Sequence, residues 1–112
     1  MRVLFLVAVL ALPAVGRAEP NPQIERLWRG KCGSCHGADG KAQTEQGKKM
    51  AIGDMSSAEW QGKFSDAQIK SAISDGLKRD KNGAHQEMEA YKAKLRPEQI
   101  DGLVTYVRGL KH

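Results

Sequence analysis

The chain changes its apolar rhythm three times. It opens with Arg2 and an unbroken apolar run, Val3 to Leu12, followed by small residues at Gly16 and Ala18. From residue 21 onward apolar positions recur at helical spacing instead. Asn21-Pro22 is a helix start, with an Asx N-cap and proline at the first helical position. Ile24, Leu27, Trp28 and Lys31 then share one face, so this helix runs into Cys32. Glycines at 33, 37, 40, 47 and 53 predict loop over 33–53. Ser56 to Glu59 reads as a capping box opening a short helix with Trp60. Ser65 and Gln68 form a second such start, behind which Ile69, Ala72 and Ile73 make one stripe and Gly76 the stop. Residues 77–86 are polar and without period, and no convincing strand is found. Glu87 to Leu95 predicts a further short helix. Pro97 opens the clearest helix, with Ile100, Leu103, Val104 and Val107 at i, i+3, i+4 and i+7.

The first eighteen residues have the layout of a secretory signal peptide cut after Ala18. Ten apolar residues are too few for a membrane-spanning helix, which needs roughly 20. No cysteine lies near the cut, so lipid attachment there is excluded. The expectation is therefore export to the periplasm, a single mature domain over 19–112, and no stable membrane insertion once the signal is gone.

Composition narrows the classes. The chain has 112 residues and a net charge of +5, with 18 basic against 13 acidic side chains. Removing Arg2 and Arg17 with the signal lowers +5 to +3. The remaining bases are interleaved with acids, so no nucleic-acid partner is expected. The mature aromatics are Trp28, Trp60, Phe64, Tyr91 and Tyr106. That is a small core, and small domains bury a poor fraction of their surface.

The chemistry sits at Cys32-Gly33-Ser34-Cys35-His36. Two thiols three apart at a helix end can each add to one vinyl group of a haem, and the adjacent His36 is then held under the iron. This is the c-type haem attachment signature, and it contains both cysteines of the chain. Three rivals fit less well. A Cys32–Cys35 disulfide closes a tiny loop and leaves His36 unexplained. A thioredoxin-like dithiol needs a strand–helix–strand setting. A structural zinc site needs a fourth ligand, for which only His85 or His112 remains, without the usual paired spacing. A covalently held porphyrin would also supply the apolar centre that the sparse core lacks.

Trp28 to Gly37, Asp39-Gly40-Lys41, Met88 to Tyr91 and Leu95 to Arg108 together resemble a small bacterial class I cytochrome c with one haem. The resemblance covers residues 22–110. It implies an all-α fold, three to five short helices around one covalently attached haem, with the first and last helices crossing. Trp28 and Tyr106 would meet near that crossing. Cys32 and Cys35 would carry the thioethers of one haem c per chain, and His36 would be an axial iron ligand. The sixth ligand in the family comes from the position of Met88, which sits in a polar stretch that gives a methionine little other reason to turn inward. Met50 and Met55 read as gap-filling core. His85, three residues before Met88, is the alternative sixth ligand.

The sequence departs from the family at three places. Glu89 replaces the proline that usually follows the ligand methionine, which removes a φ constraint. Ile24 stands where a small glycine is common at the helix crossing, so the expectation is either a less close crossing or a contact shifted to Gly102. No proline lies between Pro22 and Pro97, so a carbonyl around Met50 to Ile52 is the expected acceptor for the Nδ1 hydrogen of His36. Trp60 is a candidate donor to a haem propionate, with plain core packing as the alternative.

No constellation for substrate chemistry accompanies the motif. The resemblance implies an electron-transfer protein and not an enzyme: a monomer whose iron cycles between Fe(III) and Fe(II). It would dock transiently on protein redox partners, a reductase, oxidase or dehydrogenase, through lysines such as Lys31, Lys41 or Lys48. With the sixth site open, the alternative is a small-ligand sensor or a peroxidase-like protein. A haem subunit held in a larger complex is the third reading.

Overall fold

The computed structural model describes residues 21–111. The signal-peptide reading of residues 1–18 and the terminal His112 lie outside the described residues. Helix α1 spans Pro22–Leu27 and starts as expected, the Asn21 side chain accepting from the Gln23 amide at 3.0 Å. It continues without a break through a π turn, Trp28–Cys32, into α2, Gly33–His36. The wide turn closes with the Gly33 N–H on the Trp28 carbonyl. Such turns insert one residue and re-aim those that follow.

The glycine-rich stretch is not all loop. Thr44 caps a short helix α3, Glu45–Lys49, its hydroxyl accepting from the Gly47 amide at 2.9 Å. Helix α4, Ala58–Lys63, starts one residue later than the sequence indicates, because Ser57 is the cap. Ser56 is instead buried, with its amide and hydroxyl on Asp54 Oδ1 at 2.8 and 2.6 Å. Helix α5, Asp66–Asp75, has the Ser65–Gln68 capping box and ends at Gly76, whose φ is +72°.

The all-α expectation needs correction after Gly76. Residues Leu77–Lys81 (β1) and Ala84–Met88 (β2) form an antiparallel hairpin. The turn is Asn82-Gly83, with φ of +56° and +76°. Two consecutive left-handed residues are what a two-residue type I′ hairpin requires. The predicted helix over 87–95 is absent: Met88 ends β2, and turns follow it.

Helix α6, Pro97–Arg108, packs on α5 and crosses α1. Its stripe Ile100, Leu103, Val104 and Val107 is buried with Ile24, Trp28, Ile69, Ile73, Tyr91 and Leu95 in one core cluster. Arg108 fastens the C-terminal end of α6 to the α4–α5 junction, donating to the Gln61 carbonyl at 2.8 Å and the Phe64 carbonyl at 2.6 Å. No helix among the described residues is long and apolar enough to cross a membrane.

Candidate haem site

A crevice of about 300 Å³ opens between the N-terminal helical segment and the hairpin. Cys32, Cys35 and His36 line it from one element, and Gln86, Met88 and Tyr91 from the other end of the chain. The sequence motif and its proposed distant partner thus share one cavity.

The His36 end is braced from several sides. The Thr44 hydroxyl donates to the Cys35 carbonyl at 2.8 Å, and the Ala42 amide donates to the His36 carbonyl at 2.8 Å. The Trp28 indole donates to the Gly37 carbonyl at 3.1 Å. Its ring stacks on the His36 imidazole at 5.8 Å and meets Tyr106 at 5.3 Å. Burial holds the His36 pKa below its ordinary value, which favours the neutral imidazole that binds metal. Nδ1 is buried and has no hydrogen-bond partner among the described residues. That differs from the expected carbonyl around Met50 to Ile52. The carbonyls of Met50 and Ala51 instead accept from Gln86 Nε2, at 2.8 and 3.2 Å.

The thiols of Cys32 and Cys35 are not joined to each other. Cys32 is buried, which pushes its pKa up to about 11. A thiol held protonated is a poor nucleophile in exchange chemistry, so the pair does not resemble a redox dithiol. Tyr91, also buried, donates its hydroxyl to the Lys31 carbonyl at 3.2 Å and closes the crevice beside Cys32.

Strand alternation sorts the hairpin residues. Leu77, Arg79, Gln86 and Met88 share the crevice side, as the register pairs Leu77 with Met88 and Arg79 with Gln86. Asp80 and His85 form a cross-strand pair on the other face. There His85 is exposed and bonds Asp80 Oδ1 through Nδ1 at 2.9 Å and Glu87 Oε1 through Nε2 at 2.8 Å. Both ring nitrogens are therefore engaged. Met50 also lines the crevice, while Met55 is core. Trp60 meets the Phe64 ring at 5.0 Å in a tilted contact and is not among the crevice-lining residues, so the packing role fits it.

Sequence reasoning missed Arg79 and Gln86 as site residues. The Asn82-Gly83 pair was the available signal, since it predicts the hairpin that brings both into place.

A family model described as cytochrome c matches residues 23–111. The chain belongs to the cytochrome c family. Two solved structures are similar to it. The KustC0563 c-type cytochrome is 35% identical with a TM-score of 0.65, covering 79% of this chain and 96% of that one. A variant of it with one tyrosine changed to phenylalanine is 35% identical with a TM-score of 0.64, covering 79% and 98%. None of the curated proteins matches. The cofactor is haem c, held covalently, and the chain has the two cysteines this requires. The residues present fit it: a half-buried imidazole whose Nδ1 is sealed and two free thiols border one crevice with an apolar floor.

Proposed function

We propose that this cytochrome c is a periplasmic one-electron carrier with a six-coordinate iron, its axial ligands being His36 and Met88. Cys32 and Cys35 form the thioethers. The bound haem supplies the Fe(III)/Fe(II) couple. The protein residues do the rest. Burial keeps His36 neutral, with Nε2 left for the metal while Nδ1 is sealed. Met88 supplies a thioether sulfur from the hairpin.

The observation that carries this reading is the sharing of one crevice by His36 and Met88. Met50 is the weaker candidate, because the family resemblance puts the sixth ligand at the position of Met88. His85 is turned to the outer face of the hairpin with both nitrogens occupied. With His36 and Met88 both holding the iron, no site would remain for substrate and the ligand set would stay constant between oxidation states. Reorganisation would then be small, which would favour electron transfer over ligand chemistry. Partners are transient redox proteins that dock at the crevice edge, where exposed Lys31 is a lining residue.

Met88→Ala tests the assignment in the matured protein. The variant should bind CO rapidly in the reduced state, whereas wild type, Met50→Ala and Met55→Ala should not. Rapid CO binding by wild type would support the small-ligand sensor or peroxidase-like alternative instead.

A further inference from the structure

A covalent haem brings two carboxylates with it, and the crevice has to accommodate them. Vinyl and propionate groups occupy opposite edges of the porphyrin. The thioethers therefore hold the vinyl edge at Cys32 and Cys35 and send the propionates away from them. Lys31, next to Cys32, is at the wrong edge. The other strongly basic side chain lining the crevice is Arg79.

Arg79 is built into place from behind. Its Nε donates to Gln86 Oε1 at 3.0 Å. Gln86 is only 8% exposed, and the amide nitrogen of the same side chain donates to the carbonyls of Met50 and Ala51. Every polar atom of a buried amide is thus spent on two tasks, fastening the hairpin to the segment after α3 and fixing the plane of one guanidinium. The terminal nitrogens of Arg79 have no partner among the described residues. The lining carboxylates are already paired, Glu87 with His85 and Lys78, and Glu89 with Lys94.

We propose that Arg79 anchors a propionate carboxylate of the haem, with Gln86 as the positioning residue that aims it. A guanidinium with Nε engaged still presents its two terminal nitrogens, the pattern that grips a carboxylate in two parallel hydrogen bonds. The inference rests on haem attachment at Cys32 and Cys35 and not on which residue is the sixth ligand. It also assigns the role that the sequence pattern offered to Trp60.

The test measures the reduction potential against pH for matured wild type, Arg79→Gln, Arg79→Lys and Gln86→Leu, each first shown by mass to carry covalent haem. An adjacent cation stabilises the ionised propionate and the reduced iron. Arg79→Gln should therefore lower the potential at neutral pH and move the propionate inflection to higher pH. Arg79→Lys should restore part of both shifts, and Gln86→Leu should show both in weaker form. The far-red sulfur–iron band should be the same in wild type and Arg79→Gln, so that the shift is not a change of ligand. Identical potential and inflection in wild type and Arg79→Gln would overturn the proposal. Loss of the band in Arg79→Gln alone would also overturn it, because the arginine would then act through the hairpin and not on the propionate.

Discussion

Ile24 and Gly102 meet where α1 and α6 cross: a β-carbon at residue 102 would stand 2.7 Å from Ile24 Cδ1 and 2.9 Å from its Cγ1. The small residue that lets the two helices approach is on the last helix, facing a large residue on the first. Ile24 is buried and β-branched, so it has little rotamer freedom in a helix with which to give way. Overpacking costs about 1–3 kcal/mol. Alanine recovers about 1 kcal/mol of helix propensity over glycine. Gly102→Ala should therefore destabilise by up to about 2 kcal/mol in denaturant titration. In an Ile24→Ala background, which lacks the γ and δ carbons, the same change should be neutral or stabilising. Stabilisation by Gly102→Ala in wild type would contradict a tight crossing.

Gly76 lets the segment after Met88 pack closely against the end of α5. At φ +72°, a β-carbon on residue 76 would collide with the Met88 carbonyl oxygen and stand 2.9 Å from the Ala90 nitrogen. The amides of Tyr91 and Lys92 then cap α5 by donating to the Ile73 and Ser74 carbonyls, at 3.0 and 3.1 Å. The segment after Met88 is thereby locked onto a helix end. Gly76→Ala should displace Met88, weakening the sulfur–iron band and admitting CO while covalent haem is retained. An unchanged band and unchanged CO exclusion would show that the packing at Gly76 does not position the methionine.

The outer face of the hairpin should give it a pH-dependent hold. Hydrogen bonds to Glu87 and Asp80 raise the His85 pKa above its ordinary 6.5. The bond from His85 and the charge of Lys78 lower the Glu87 pKa. The histidine contribution is complete below pH 6.5 and is lost as pH rises through the raised value. The Glu87 contribution is present above its ordinary value and is lost as pH falls through the lowered one. All these groups are exposed, so the effect is small. Hydrogen-exchange protection of the hairpin should exceed that of His85→Gln at pH 6 and match it at pH 9. An equal gap at both values would remove the charge argument.

The helical frame was largely legible from the sequence. Asn21-Pro22, Ser65–Gln68 and Pro97 each fix a helix start through local chemistry, and the Ile100 to Val107 stripe declares its own period. The CxxCH motif was legible for the same reason, because its spacing is the chemistry. The hairpin was not. Its crevice side carries Arg79 and Gln86, long polar side chains of which Gln86 is buried through a specific hydrogen-bond relay, so the hairpin shows no apolar alternation. Helix α3 was hidden by its own glycine. Gly47 is there because a β-carbon would strike the Cys35 and Ala42 carbonyls, which sequence alone does not disclose. The His36 surroundings depend on contacts between residues far apart in the chain, and no local pattern encodes them.

Folding should depend on the cofactor. The crevice lies beside a core of few large side chains, and binding a group only in the folded state adds stability by mass action or covalent retention. Protein made in the cytoplasm without residues 1–18 should show much weaker far-UV helix signal than the matured form and be cut readily by protease. A cooperatively melting, protease-resistant apo chain would contradict a haem-centred fold.

The most direct test of the electron-carrier account is the absorption spectrum of purified, oxidised wild-type protein in the far red. A sulfur–iron bond produces a weak band there, and Met88 as sixth ligand predicts that the band is present at neutral pH. A spectrum without that band, with the high-spin features of an open site, would contradict the account.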